Sequence, residues 1–166
     1  MLFFLGVAVL LIISFFELNP RRFKAASAYQ SLDKYSGPLI TITSSFVSLV
    51  GIADEIFGIV PLNFLSGETG EFTGILIWLI GFTIRQSAIK ALEGNFNYAV
   101  APVSKLVTTG IYKRIRHPGY LGTCLYSLGT TIFFESGLAF GFSILVIATV
   151  IYRIRTEEKF MEQLLG

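Results

Sequence analysis

Apolar residues occur along this chain in five long runs, which short polar or charged segments separate. The runs cover residues 2–16, 39–60, 72–89, 120–134 and 138–152. Each run approaches the roughly 20 residues with which a helix crosses about 30 Å of hydrocarbon. The pattern therefore predicts an all-α, polytopic integral membrane protein with about five transmembrane helices.

The composition supports this prediction. Of the 166 residues, 53% are hydrophobic and only 14% are charged, and the mean hydropathy is +0.69. These values are typical of a protein whose solvent is a bilayer. The first run starts at Met1 without a basic segment and continues into Glu17 and Pro20 instead of a small-residue cleavage site. We therefore expect it to span the membrane and not to be removed as a signal peptide.

The charged residues predict the orientation of the helices. If the five helices alternate in direction, every Lys and Arg falls on one side of the membrane, and the other side carries Asp54, Glu55, Glu68, Glu71 and Glu135. Basic residues near helix ends are retained in the cytoplasm, so we expect the basic side to face the cytosol. The membrane would be a bacterial inner membrane or, in a eukaryote, the endoplasmic reticulum. The net charge of only +2 argues against a nucleic-acid partner.

One segment concentrates positive charge between two apolar runs. This segment, residues 105–120, is called the cationic island below, and it holds Lys105, Lys113, Arg114, Arg116 and His117. A membrane protein has little reason to cluster such chemistry unless it binds a ligand there. The chain has one histidine and one cysteine, which cannot supply the usual tetrahedral zinc ligands, so we expect no metal.

The last two runs are predicted to form an antiparallel helical hairpin. Pro118 favours a helix start, and the segment 135–137 is long enough only for a tight reversal. The entry and the exit of the hairpin then lie at the same depth of the membrane. This placement predicts a cytosolic pocket that is flanked by Arg116, His117, Tyr120, Arg153, Arg155, Glu157 and Glu158.

Three sequence strings in this region carry a family resemblance. They are Asn95-Phe96-Asn97, LVTTGIYKRIRHPGY at residues 106–120 and RIRTEEKF at residues 153–160. Together they resemble the isoprenylcysteine carboxyl methyltransferase family of membrane enzymes, over roughly residues 93–166. Phospholipid N-methyltransferases and NADPH-dependent sterol reductases have related folds. We expect one membrane domain over residues 1–166, in which the hydropathy pattern predicts three helices in 1–92 and the resemblance implies a methyltransferase core in 93–166.

The resemblance also implies a cofactor, S-adenosylmethionine, and a set of site residues. The cofactor would be bound by Lys105, Leu106, Val107, Tyr112, His117, Pro118, Gly119, Tyr120 and one or both of Glu157 and Glu158. Arg153 would orient the substrate and, with His117, serve catalysis, and Tyr126 would contact the substrate as well. Three features depart from the family pattern: Lys105 stands where relatives often carry a histidine, the linker that follows Asn97 is shorter than in the eukaryotic enzymes, and relatives continue beyond the position of Gly166.

The predicted chemistry is methyl transfer to a lipophilic acceptor that enters from the bilayer between the helices. A prenylcysteine carboxylate, with a pKa of about 3.5, is ionised at neutral pH and needs no general base. A phospholipid amine, with a pKa of about 10, must lose a proton to His117 or to a glutamate. A reductase would instead use the cationic island for the phosphate of NADPH. The carboxylate is the acceptor that we expect, and the amine and the reductase remain the alternatives.

Overall fold

The computed structural model describes residues 36–62, 67–92 and 108–165. These ranges contain α1 (Ser36–Phe57), α2 (Glu68–Ala91), a 3-10 helix (Gly110–Lys113), α3 (Pro118–Phe133) and α4 (Gly137–Leu165). The one strand-like feature in the described ranges is an isolated bridge between Pro61 and Ser136. The prediction of an all-α fold is therefore confirmed for the residues that the structure describes.

Three of these helices are long and apolar enough to cross a membrane, over Gly37–Phe57, Glu68–Ala91 and Gly137–Gln163. They correspond to the second, third and fifth predicted runs. The first run, residues 2–16, lies outside the described residues, and α3 has only 16 residues. At 1.5 Å per residue, α3 is about 24 Å long, which is short of a full crossing. The count of five transmembrane helices therefore stays a prediction.

Glycines bring the backbones of α2 and α3 into direct contact. Gly74 and Gly81 on α2 face Gly129 and Gly122 on α3, and each pair is spaced by seven residues. A Cβ atom added to Gly81 would lie 2.5 Å from the backbone nitrogen of Tyr126, and one added to Gly122 would lie 2.6 Å from the carbonyl oxygen of Gly81. Small residues allow such close approach between helices in a membrane, where helix association depends on van der Waals packing.

We therefore expect Gly81→Ala to destabilise the protein by about 1–3 kcal/mol, because the added methyl group meets backbone atoms that cannot move aside. The control is Gly141→Ala on the exposed face of α4, where an added Cβ has no atom within 4 Å. Thermal unfolding of the two variants in detergent measures the difference. Equal melting temperatures for both variants would contradict the close contact.

The α1 and α4 helices pack against each other through an apolar core. This core consists of Ile40, Val47, Ala139, Val146 and Val150, with Tyr120 and Cys124 of α3 at its edge. Many large apolar side chains on the other faces are exposed, which suits contact with lipid. Because α3 lies between α2 and α4, the first turn of α3 is held beside the last third of α4.

Polar contacts fix the opposite end of the helices. Asp54 of α1 is buried and accepts hydrogen bonds from the Ser136 hydroxyl and from the backbone N–H of Val60, the latter at 2.8 Å. The Glu135 carboxylate accepts a hydrogen bond of 2.8 Å from the N–H of Gly67. Only residues 134–136 separate α3 from α4. These contacts tie the α3–α4 connection to the ends of α1 and α2.

Candidate functional site

The centre of the candidate site is a triangle of hydrogen bonds between α3 and α4. The Tyr120 hydroxyl donates to Oε1 of Glu157 at 2.5 Å and accepts from Nε of Arg153 at 3.0 Å. The same Nε lies 2.9 Å from Oε1 of Glu157. Arg153 and Glu157 are four residues apart on α4, so both side chains lie on one face of the helix. These three residues are called the site triangle below.

Arg153 is buried because it continues the apolar stripe of α4. Val146, Val150 and Arg153 follow the spacing of one helix face, and this face packs against α1 and α3. Arg153 is only 1% exposed, whereas the side chain of Glu157 is 25% exposed. A buried guanidinium is costly unless it is paired, so Glu157 stabilises Arg153 in this position. The ion pair runs from the core to the surface, where a ligand can reach the carboxylate.

His117 extends the site towards the surface. Its Nε2 lies 3.3 Å from Oε1 of Glu158, and its Nδ1 lies 3.9 Å from Oε2 of Glu157. Its ring stacks on the ring of Tyr120, with the centroids 5.9 Å apart and the planes at 29°. His117 directly precedes Pro118 and has non-helical dihedral angles, φ −125° and ψ 60°, because a residue before proline avoids the helical region. This turn directs the imidazole towards α4.

Tyr112 lies in the 3-10 helix that precedes His117 along the chain. Its side chain is half-buried, and burial together with the negative charge of Glu157 raises the pKa of Tyr112 above its ordinary value. The phenol is therefore neutral and can donate a hydrogen bond at physiological pH. The 3-10 helix itself packs against the end of α2, where Gly110 faces Ala91.

The structure thus brings together five of the predicted site residues: His117, Tyr120, Arg153, Glu157 and Glu158. Pro118 is buried in the first turn of α3, and Gly119 faces Ala88 of α2. Lys105, Leu106 and Val107 lie outside the described residues. Their ligand-binding roles, like those of the other site residues, stay predictions.

Tyr126 packs at the edge of a second apolar cluster, which is formed by Trp78, Phe133 and Phe134. Its contact with a substrate stays a prediction. Within the described ranges, no group of three His, Cys, Asp or Glu residues could hold a metal ion.

Sequence reasoning missed one charged residue at the back of the site. Arg85 of α2 is only 4% exposed, and its Nη1 donates a hydrogen bond of 2.8 Å to the Thr123 hydroxyl of α3. As one of the Lys and Arg residues on the basic side, Arg85 is predicted from the sequence only to orient the helices. Its spacing from Gly81 and Ala88 places it on the small-residue face of α2, and this signal predicts burial against a neighbouring helix.

The site combines three kinds of binding group. The carboxylates of Glu157 and Glu158 accept hydrogen bonds, and the stacked rings of His117 and Tyr120 offer an aromatic surface. The surrounding cations are exposed: Lys113, Arg114, Arg116, Arg155 and Lys159. Such a set suits a ligand that carries an anionic group, hydroxyl or ammonium groups and an aromatic ring.

Comparisons with known proteins agree on one family. The model of the isoprenylcysteine carboxyl methyltransferase family matches residues 74–163. The chain is 33% identical over 91 residues to protein-S-isoprenylcysteine O-methyltransferase of Homo sapiens, an alignment that covers 52% of this chain and 32% of the human protein. It is 31% identical over 98 residues to protein-S-isoprenylcysteine O-methyltransferase A of Arabidopsis thaliana, covering 56% of this chain and 50% of that protein.

The chain thus spans about a third to a half of the length of these relatives. No solved structure matches it. The matched range includes α3 and most of α2 and α4, and it therefore contains the site triangle, His117 and Arg85.

Proposed function

Because the chain belongs to the isoprenylcysteine carboxyl methyltransferase family, we propose that it is an integral membrane enzyme that methylates a lipophilic acceptor with S-adenosylmethionine. The proposed acceptor is the carboxylate of a prenylated cysteine or of a similar isoprenoid lipid. The observation that carries this proposal is the site triangle, in which a buried arginine is held beside a partly exposed glutamate. The names of the human and Arabidopsis relatives support the type of reaction.

The residues of the site fit S-adenosylmethionine. Glu157 and Glu158 can accept hydrogen bonds from its ribose hydroxyls or its ammonium group, and the stacked rings of His117 and Tyr120 suit its adenine. The exposed cations of the cationic island suit its carboxylate. When bound, S-adenosylmethionine supplies an electrophilic methyl group on a sulfonium sulfur. Lys105, Leu106 and Val107 are proposed to complete the site.

With the proposed acceptor, the site needs a cation that orients a carboxylate, and it needs no base that removes a proton from the acceptor. A prenylcysteine carboxylate is already ionised at neutral pH. The protein therefore has to orient the acceptor and exclude water from it. Glu157 and Tyr120 hold the Nε edge of Arg153, which fixes the orientation of the guanidinium. In this proposal, Arg153 contacts the acceptor carboxylate and His117 borders the reacting groups.

The distribution of charge supports a cytosolic site. The exposed cations Lys90, Lys113, Arg114 and Lys159 lie at the end of the helices that carries the site triangle, and Glu55 and Glu68 are exposed at the other end. Basic residues favour the cytoplasmic side of a membrane. A single membrane domain over residues 1–166 with its core in 93–166 fits this arrangement. The lipid part of the acceptor then reaches the site from the bilayer, between the helices.

The acceptor is tested by methyl transfer from methyl-labelled S-adenosylmethionine, with the purified full chain in lipid nanodiscs. We expect a base-labile methyl ester on an S-farnesylcysteine analogue and no label on phosphatidylethanolamine, because an amine must first lose a proton. A farnesylcysteine methyl amide, in which the carboxylate is blocked, is the matched control and should accept no label. Labelled phosphatidylethanolamine without any ester would contradict the proposed acceptor.

A further inference from the structure

A chain of hydrogen bonds connects α2 to the first turn of α3. The guanidinium of Arg85 donates from Nη1 to the Thr123 hydroxyl at 2.8 Å, and this hydroxyl donates to the carbonyl oxygen of Gly119 at 3.0 Å. Gly119 is bonded to Tyr120, the tyrosine of the site triangle. A cation on α2 is therefore linked through one hydroxyl to the peptide group that carries Tyr120.

Membrane orientation accounts for the sign of the charge on Arg85 but not for its burial. A basic residue that only orients a helix can extend its long side chain to the polar surface. Arg85 is instead 4% exposed and Thr123 is fully buried at 0%. The glycine contacts already bring the two helices together, since an added Cβ on Gly122 would lie 2.7 Å from the backbone nitrogen of Arg85. The buried arginine therefore serves something other than simple association of α2 with α3.

The part of α3 that Arg85 reaches is the part that forms the site. Ala88, one turn after Arg85, faces Gly119, and Ala91 faces Gly110 at the start of the 3-10 helix that carries Tyr112. The last two turns of α2 thus form the back wall of the site. A threonine hydroxyl in a helix commonly donates a hydrogen bond to the carbonyl oxygen four residues earlier. When an arginine also binds that hydroxyl, both the hydroxyl and the carbonyl group are restrained.

We propose, on the basis of the proposed function, that Arg85 is a positioning residue of the methyl-transfer site. Through Thr123 and the Gly119 carbonyl, it fixes the first turn of α3 so that the Tyr120 hydroxyl meets Arg153 and Glu157. Neither Arg85 nor Thr123 needs to touch the cofactor or the acceptor for this role. A small displacement of groups in a catalytic site can lower the rate greatly, so the loss of this restraint should reduce activity.

Thr123→Val tests the inference, with Thr131→Val as the matched control. Thr131 is also buried on α3, its hydroxyl bonds to the carbonyl of Ser127 at 3.1 Å, and it contacts the Ser143 hydroxyl of a neighbouring helix at 2.8 Å. Both variants thus lose two hydrogen bonds of a buried threonine. The melting temperature of Thr123→Val should fall somewhat more, because one of its bonds is to a charged guanidinium. We expect Thr123→Val to lower kcat/KM for methyl transfer about tenfold, Thr131→Val to leave it within about twofold, and Thr123→Ser to restore it.

Hydrogen exchange provides a readout that needs no activity. In Thr123→Val and in Arg85→Met, the amides of residues 121–123 should exchange about tenfold faster than in the wild type, with those of residues 129–131 unchanged. Equal activities of the two valine variants, or unchanged exchange at 121–123, would overturn the positioning role. If the wild-type protein transfers no methyl group, the proposed function fails, and the exchange measurement still decides whether Arg85 holds the first turn of α3.

Discussion

Glu157→Ala is expected to weaken the binding of S-adenosylmethionine by about 1–3 kcal/mol, or roughly 5- to 150-fold. Both Arg153 and Tyr120 contact Glu157 in the site triangle, and the Glu157 side chain is 25% exposed, so a ligand can reach it. Its removal takes away a charged hydrogen-bond acceptor and leaves the buried Arg153 without its carboxylate. Isothermal titration calorimetry in detergent measures the change.

Two further variants make this measurement specific. His117→Ala should weaken binding within the same range, because it removes the stacking partner of Tyr120 and the contact with Glu158. Glu162→Gln, an exposed position further along α4, should leave the affinity unchanged. Unchanged affinity in both Glu157→Ala and His117→Ala would show that the cofactor does not bind at the site triangle.

Arg153→Lys is expected to reduce methyl transfer about 100-fold while weakening cofactor affinity less than about tenfold. Lysine keeps the positive charge beside Glu157, but its ammonium cannot supply the planar fork that fixes a carboxylate. Arg153→Ala should reduce methyl transfer at least as much, and it should also cost stability because it leaves a gap in the core. Rates of methyl transfer to the S-farnesylcysteine analogue, measured together with the calorimetric affinity, separate the two effects.

Arg155→Lys is the control for this comparison, since Arg155 is exposed on the same helix two residues further on and lysine keeps the positive charge that this position offers to a ligand. It should keep the wild-type rate. The Arg153 variants also test the charge of the acceptor. If the acceptor were a protonated amine, the positive charge of Arg153 would oppose the binding of that amine. Equal rates of the wild type and Arg153→Lys on the carboxylate acceptor would rule out the orienting role of Arg153.

The hydropathy pattern predicted α1, α2 and α4, because long apolar runs in a chain of this composition have few alternatives to helices. It placed the end of the last run at residue 152, whereas α4 continues to Leu165. The charged residues beyond Tyr152 keep helical spacing and extend past the apolar part of the chain, which hydropathy alone does not detect. The close contact of Gly81 with Gly122 depends on the register of two helices, and neither helix specifies this register by itself.

The convergence of the site residues followed from short-range features of the chain. Pro118 fixes the start of α3, and the short connection at residues 134–136 brings α4 back alongside it, so Tyr120 reaches Arg153 and Glu157. The Tyr120 hydroxyl donates one hydrogen bond to Glu157 and accepts another from Arg153. These two bonds could not be predicted, because they depend on side-chain geometry. Arg85 was missed because a basic residue near a helix end was read only as a sign of orientation.

The most direct test of the proposed site is a calorimetric titration of the purified wild-type chain with S-adenosylmethionine, alongside an identical titration with NADPH. Carboxylates, stacked aromatic rings and exposed cations around Arg153 suit the first ligand. We predict saturable binding of one S-adenosylmethionine per chain and no binding of NADPH. Saturable binding of NADPH with no heat from S-adenosylmethionine would contradict a methyltransferase site and favour a reductase.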